Sequence, residues 1–107
     1  MSADLYATRN RPNYGQGQVV AYTGTAGTIA NGIPQGTPAV LVVCTTIAYV
    51  RVGVDPTATT ADLIVPALTA TVIPIDAASI TGGSGLVKVS AVQVSAGGNL
   101  HVMPLTN

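Results

Sequence analysis

The chain has no tryptophan, no phenylalanine and no glutamate, and it has a single cysteine and a single histidine. Charge is almost as scarce: charged residues are 7% of the 107, where soluble domains carry about 25%. Each shortage excludes something. One cysteine, Cys44, cannot build a disulfide scaffold. With no C-x-x-C and no pair of histidines, zinc has no ligand set. Three arginines and one lysine cannot neutralise many phosphates, so no direct nucleic-acid binding is expected. The longest unbroken aliphatic stretch runs from Ala39 to Cys44, far short of the ~20 residues a spanning helix needs, so no membrane partner is expected. The opening stretch to Gln18 has no apolar core of the signal-peptide kind. Together with the single thiol this leads us to expect synthesis in a reducing cytoplasm.

What is present is apolar and β-branched. Hydrophobic residues reach 48%, with 12 Gly and 7 Pro, which is not the composition of a disordered chain. Four basic residues balance four aspartates. A small neutral domain with so bare a surface is poorly protected against association, so we expect a homo-oligomer or an assembly subunit.

Residues 1–17 differ from the rest. They hold Asp4, Arg9, Arg11, Tyr6 and Tyr14, are broken by Pro12, Gly15 and Gly17, and show no helical or strand period. They read as an extended N-terminal arm, whose candidate contact residues are Leu5, Tyr6, Arg9, Arg11 and Tyr14. Residues 18–107 read as one all-β domain, with no sustained helical period. Strands are expected at Gln18–Thr23, Ala39–Thr45, Tyr49–Val54, Leu63–Val65, Ala70–Ile75, Leu86–Val94 and Leu100–Pro104, with a weaker one at Thr28–Ala30. Asn31-Gly32, Asp55-Pro56, the Gly82–Gly85 cluster and Gly97-Gly98-Asn99 supply turns between them. Short strands at this spacing imply a sandwich or barrel.

Phase within the strands predicts burial. Val50, Val52 and Val54 share one side of their strand, Tyr49 and Arg51 the other. Tyr49 and Arg51 are therefore candidate subunit contacts on an outward sheet face. Ala39–Cys44 is apolar on both faces, which fits either a central strand or a face covered by another subunit. Val87 and Val89 are out of phase with Val92 and Val94, so a bulge or corner is expected at Ser90-Ala91. Pro74 marks an edge strand. Without Phe or Trp, the core is expected to be filled by small branched side chains and no ring.

Catalytic signals are weak. His101 alternates with Leu100 and Val102 and has no neighbouring nucleophile or acid. Cys44 follows four aliphatic residues, the setting of an inert thiol. Asp55 and Asp62 flank a Thr/Ala loop, but their spacing is not that of an EF-hand; turn formation and capping suit them better. No enzyme, cofactor or metal is expected. The Gly82–Gly85 cluster precedes a strand, so it is not a phosphate loop.

From Pro38 to Pro104 the order of segments is an apolar strand, then AYVRVGVDPTATTADLIVPALTATVIPI, a Gly/Ser loop, and VKVSAVQVSAGGNLHVMPL. This resembles the small capsid decoration (cement) proteins of tailed bacteriophages. The resemblance implies a jelly-roll-like antiparallel β-sandwich that forms dimers or trimers on the capsid exterior. There it would bridge and stabilise major capsid proteins, in a particle assembled from subunits made in the host cytoplasm. It brings no catalytic residues. A head–tail or tail-fibre accessory domain and a carbohydrate- or receptor-binding β module are the alternative readings.

Overall fold

The computed structural model describes residues 11–34, 36–75 and 87–106. Leu5, Tyr6 and Arg9 of the expected arm, and the Gly82–Gly85 loop, lie outside them. The described residues form nine strands and no helix: β1 (Arg11–Pro12), β2 (Gln18–Tyr22), β3 (Gly27–Thr28), β4 (Ala39–Cys44), β5 (Ala48–Val54), β6 (Leu63–Val65), β7 (Thr71–Pro74), β8 (Val87–Gln93) and β9 (Gly98–Thr106).

Two antiparallel sheets pack face to face. The first runs β1-β9-β4-β7, with β2 also paired to β9; the second runs β3-β8-β5-β6. The pairings are nested: β5 with β6, β4 with β7, β3 with β8 and β2 with β9. The chain is thus one long hairpin, closed on itself by the β4–β9 and β5–β8 ladders. Alternation places the core between the sheets, as a period of two requires. Val40, Val42 and Cys44 of β4 meet Val50 of β5, Val89 of β8 and Leu100 of β9, all in one buried cluster.

The ring-free core is corrected by Tyr22, which is only 2% exposed and leads the largest buried side chains. A tyrosine is tolerated there because its hydroxyl reaches the end of the sandwich. It donates to the Thr46 carbonyl at 2.6 Å and accepts from the Thr46 N–H at 3.2 Å. Ring burial and hydrogen-bond satisfaction are met together. Among the described residues no buried side-chain polar atom lacks a partner.

The expected bulge at Ser90-Ala91 is also corrected. β8 pairs with β5 without interruption from Val87↔Val54 to Gln93↔Ala48. Val87, Val89 and Ala91 face the core, and Val92 lies outside opposite Tyr49. The opposite phase of Val92 thus places it on the outer face without a bulge; Ser90, also on that face, is buried because the chain after β5 crosses over it. Ser90 Oγ accepts the Ala58 N–H at 3.0 Å, and Pro56 and Ala58 are buried beside it.

Prolines explain the rest of the ladder. The hydrogen bond from Ile75 N–H to the Pro38 carbonyl places Ile75 towards β4, so Pro74 turns its missing donor outwards on an edge strand. Pro104 is harder to place, because β9 is paired on both sides and runs past it to Thr106. Its carbonyl accepts the Asn13 N–H at 2.8 Å, but it has no N–H to return to the Asn13 carbonyl. That carbonyl instead accepts from Gln16 N–H at 3.1 Å, closing a turn in which Gly15 has φ +87°. The register therefore slips between β1 and β2, from Pro12↔Leu105 to Gln18↔Val102. Residues 11–17 are joined to the sheet in this way, so the expected arm boundary at residue 17 falls inside the fold.

Three substitutions test this packing. Tyr22→Phe leaves the Thr46 backbone groups short of a partner, an expected loss of about 1–3 kcal/mol in urea unfolding. Val50→Ala removes core methyls and should cost roughly 1–3 kcal/mol, against a smaller loss for Tyr49→Ala on the outer face of the same strand.

Candidate functional site

The two outer faces of the sandwich are unlike. On the β3-β8-β5-β6 sheet, the segment after β5 forms a strap. Asp55 opens it with φ +49°. Thr59 N–H donates to Asp62 Oδ2 at 2.7 Å, and Asp62 N–H donates to the Thr59 carbonyl at 3.1 Å. Asp62 Oδ1, half-buried, stands 3.8 Å from the exposed Arg51 Nε, a pair of small energetic weight. Thr28 Oγ1 donates to the Pro56 carbonyl at 3.3 Å and ties the strap to β3. The two aspartates thus serve the turn, as their loop position suggested. Arg51 is exposed but engaged by the chain's own Asp62, and Tyr49 is half-buried between Ile64 and Val92.

No charged side chain lies on β2, β4, β7 or β9, the greater part of the other sheet. Its outer face carries Val19 of β2, Leu41 and Val43 of β4, Val72 of β7, and His101 and Met103 of β9. The register sets them in rows: Val19, His101 and Val43 across three strands, then Met103, Leu41 and Val72. Val19 is 60% and Val72 49% exposed. A recess of about 180 Å³ opens here, lined by Gly17, Val19, Leu41, Val43, His101 and Met103 among others. Gly17 forms its wall at close quarters: a Cβ there would meet Met103 Cε at 3.0 Å. Three residues before it in the chain, Tyr14 projects from the Asn13–Gln16 turn and is 81% exposed.

Sequence pattern placed His101 and Met103 on one face and Leu100 and Val102 on the other, which the burial bears out. It did not single out Leu41, Val43 and Val19 as one surface, because cross-strand rows depend on register. The signal available was the two-sided apolar run Ala39–Cys44 between strands of clearer alternation. Of the expected contact residues, Arg11 lies on β1 and Tyr14 on the turn beside the recess, while Tyr49 and Arg51 lie on the opposite sheet. Among the described residues, Arg11 and Tyr14 are therefore not brought together with Tyr49 and Arg51.

The chemistry of this face is burial. His101 is exposed between two valines, with no carboxylate or thiol in its row. Among the described residues no three His, Cys, Asp or Glu side chains cluster as metal ligands do. Cys44 is fully buried, and burial pushes its thiol up from 9.0, against a smaller opposing effect of the Tyr22 hydrogen bond. Its reactive thiolate is accordingly suppressed.

That shift has a sign. Above pH 9.0 the unfolded chain loses the Cys44 proton while the folded chain keeps it. Stability due to this group is therefore complete below pH 9.0 and falls as pH rises past it. Wild type should lose stability relative to Cys44→Ala between neutral pH and the alkaline range in denaturant titrations. An aromatic disulfide reagent should label Cys44 only at the rate of unfolding. No family model, no curated protein and no solved structure matches this chain.

Proposed function

We propose that this chain is a non-enzymatic structural subunit of a virion, a capsid decoration (cement) protein that bridges major capsid proteins on the particle exterior. The observation that carries the reading is the outer face of the β4–β9 sheet, where Val19, Leu41, Val43, Val72 and Met103 form an apolar surface without a single charge. Contiguous exposed apolar surface of this kind marks a protein-interaction site, and the recess at Met103 offers it a place to seat a partner side chain. The nested strand order, β2-β9-β4-β7 facing β3-β8-β5-β6, supports the jelly-roll form of the sandwich, an architecture that capsid and lectin domains share. Fold likeness alone does not assign function; the resemblance of residues 38–104 and the uncharged face supply the rest. In this reading Tyr14, on the turn beside the recess, reaches a capsid protein or a neighbouring subunit.

A surface that works by apolar burial has two consequences. Binding depends weakly on salt, since screening acts on exposed charges. Bound subunits also stabilise the capsid by mass action. Particles carrying the protein should survive heating better than stripped particles, equally at low and high salt. Val43→Asp should weaken capsid binding by about tenfold to a hundredfold, because it buries an unpaired charge in the contact, while the free domain keeps its melting temperature. Equal survival with and without the protein would overturn the reading. Copy number per particle, measured by mass spectrometry, separates decoration in hundreds of copies from a head–tail component.

A further inference from the structure

The carboxamide of an asparagine can be attacked by the backbone nitrogen of the next residue. Glycine, with no Cβ and a permissive backbone, obstructs that attack least. Of the asparagines among the described residues, Asn13, Asn31 and Asn99, only Asn31 is followed by glycine. Asn99 precedes Leu100, which is fully buried in β9, and Asn13 precedes the large side chain of Tyr14. Asn31 is exposed.

The surrounding structure holds the backbone on either side and leaves the two reacting groups out. Asn31 N–H donates to Gln18 Oε1 at 3.0 Å, and Gln18 Nε2 donates to the Asn31 carbonyl at 3.0 Å. Ile29 and Ile33, both buried, bracket the segment. Their N–H groups donate to the Val89 and Val87 carbonyls of β8 at 3.0 and 2.6 Å. Neither the Asn31 carboxamide nor the Gly32 N–H has a hydrogen-bond partner among the described residues.

We propose that Asn31 is a modification site, where spontaneous deamidation yields aspartate or isoaspartate and the isoaspartate form undoes the Gln18 clamp. The Gly32 nitrogen bonds to Asn31 Cγ as the Cγ–Nδ2 bond breaks. The Gly32 proton leaves with the amide nitrogen as ammonia, and a succinimide ring is closed. Water then opens the ring. Addition at Cγ gives aspartate on the original backbone; addition at the α-carbonyl gives isoaspartate, whose main chain is one atom longer.

The brackets on either side set the consequence. The added atom must fit between Ile29 and Ile33, whose bonds to β8 fix their spacing. In isoaspartate the former Asn31 backbone carbonyl also becomes a free carboxylate, so the paired geometry that Gln18 holds is lost. The new carboxylate is the first charge between Arg11 and Arg51, and it takes a neutral chain to net negative. Gln18 lines the recess with Val19 and His101, so a change at Asn31 reaches the uncharged face. This inference does not rest on the virion reading: a chain that deamidates at Asn31 and protects no capsid would keep it and lose the other.

The test incubates the full chain in mildly alkaline buffer at physiological temperature and maps it by mass spectrometry. An isoaspartyl methyltransferase serves as the specific reporter of isoaspartate. Conversion is expected at Asn31 in the folded chain, well ahead of Asn13 and Asn99. Gly32→Ala should slow it severalfold, since a Cβ hinders the attacking nitrogen. The isoaspartate form, separated by its extra negative charge, should melt below the fresh protein. Asn31→Asp, which adds the charge without lengthening the backbone, should melt close to it. If Gly32→Ala fails to fold, the site map of the wild type decides. Conversion of Asn31 no faster than that of Asn13 or Asn99, conversion only in the urea-unfolded chain, an unchanged rate in a folded Gly32→Ala variant, or an isoaspartate form as stable as Asn31→Asp would each overturn the proposal.

Discussion

The backbone ladder of β9 is the constraint on which the rest depends. This strand is paired on one side with β4 and on the other with β2 and β1, yet it contains Pro104, which cannot donate. Leaving the Asn13 carbonyl unpaired inside the sheet would cost on the order of 1–3 kcal/mol. The chain avoids this by looping out Asn13–Gln16, where Gly15 takes the left-handed conformation and Gln16 replaces the lost donor. The detour splits the first edge into β1 and β2 and shifts their registers. It also projects Tyr14 into solvent and leads into Gly17, one wall of the recess. A single missing hydrogen on β9 thus shapes the neighbouring edge and the surface beside it.

Scarcity of rings and charges acts at the level of packing. A core of Val, Ile, Ala and Leu around the one ring of Tyr22 is thin, and small domains bury a limited share of their surface. Nested antiparallel pairing uses each strand on its inner face without helices to cover the outer ones. One outer face is partly covered by the chain's own strap, held on Ser90 and Asp62. The other keeps an uncharged row of side chains around His101 and Met103. In the proposed reading, that contrast makes the second face the one that meets partners.

The strand positions were legible because β-branched runs bounded by Gly, Pro and Asn leave few alternatives. Leu63–Val65 and the buried phase of Val50 are where the pattern put them. Pro74 lies on an edge strand, where its missing donor can face outwards. The alternation rule failed at Ser90, since it assumes that an outward residue is exposed, and Ser90 is covered by a segment more than thirty residues away in the chain. It failed at Tyr22 for a related reason: a polar ring can be buried when a distant backbone, here Thr46, receives its hydroxyl. The candidate surface was only half legible. His101 and Met103 could be put on one face, but nothing local says that Val19 and Val43 flank His101.

What the sequence determined by itself is therefore the class of the molecule: all-β, almost uncharged, apolar on both sides of β4, and free of a recognisable catalytic pattern. These follow from composition and period-two alternation, which act within a strand. Tertiary structure decided which strands became neighbours and which face was strapped over. Those outcomes depend on register between strands far apart in the chain, where hydrogen-bond satisfaction around Pro104, Tyr22 and Ser90 selects one pairing that local preference leaves undetermined.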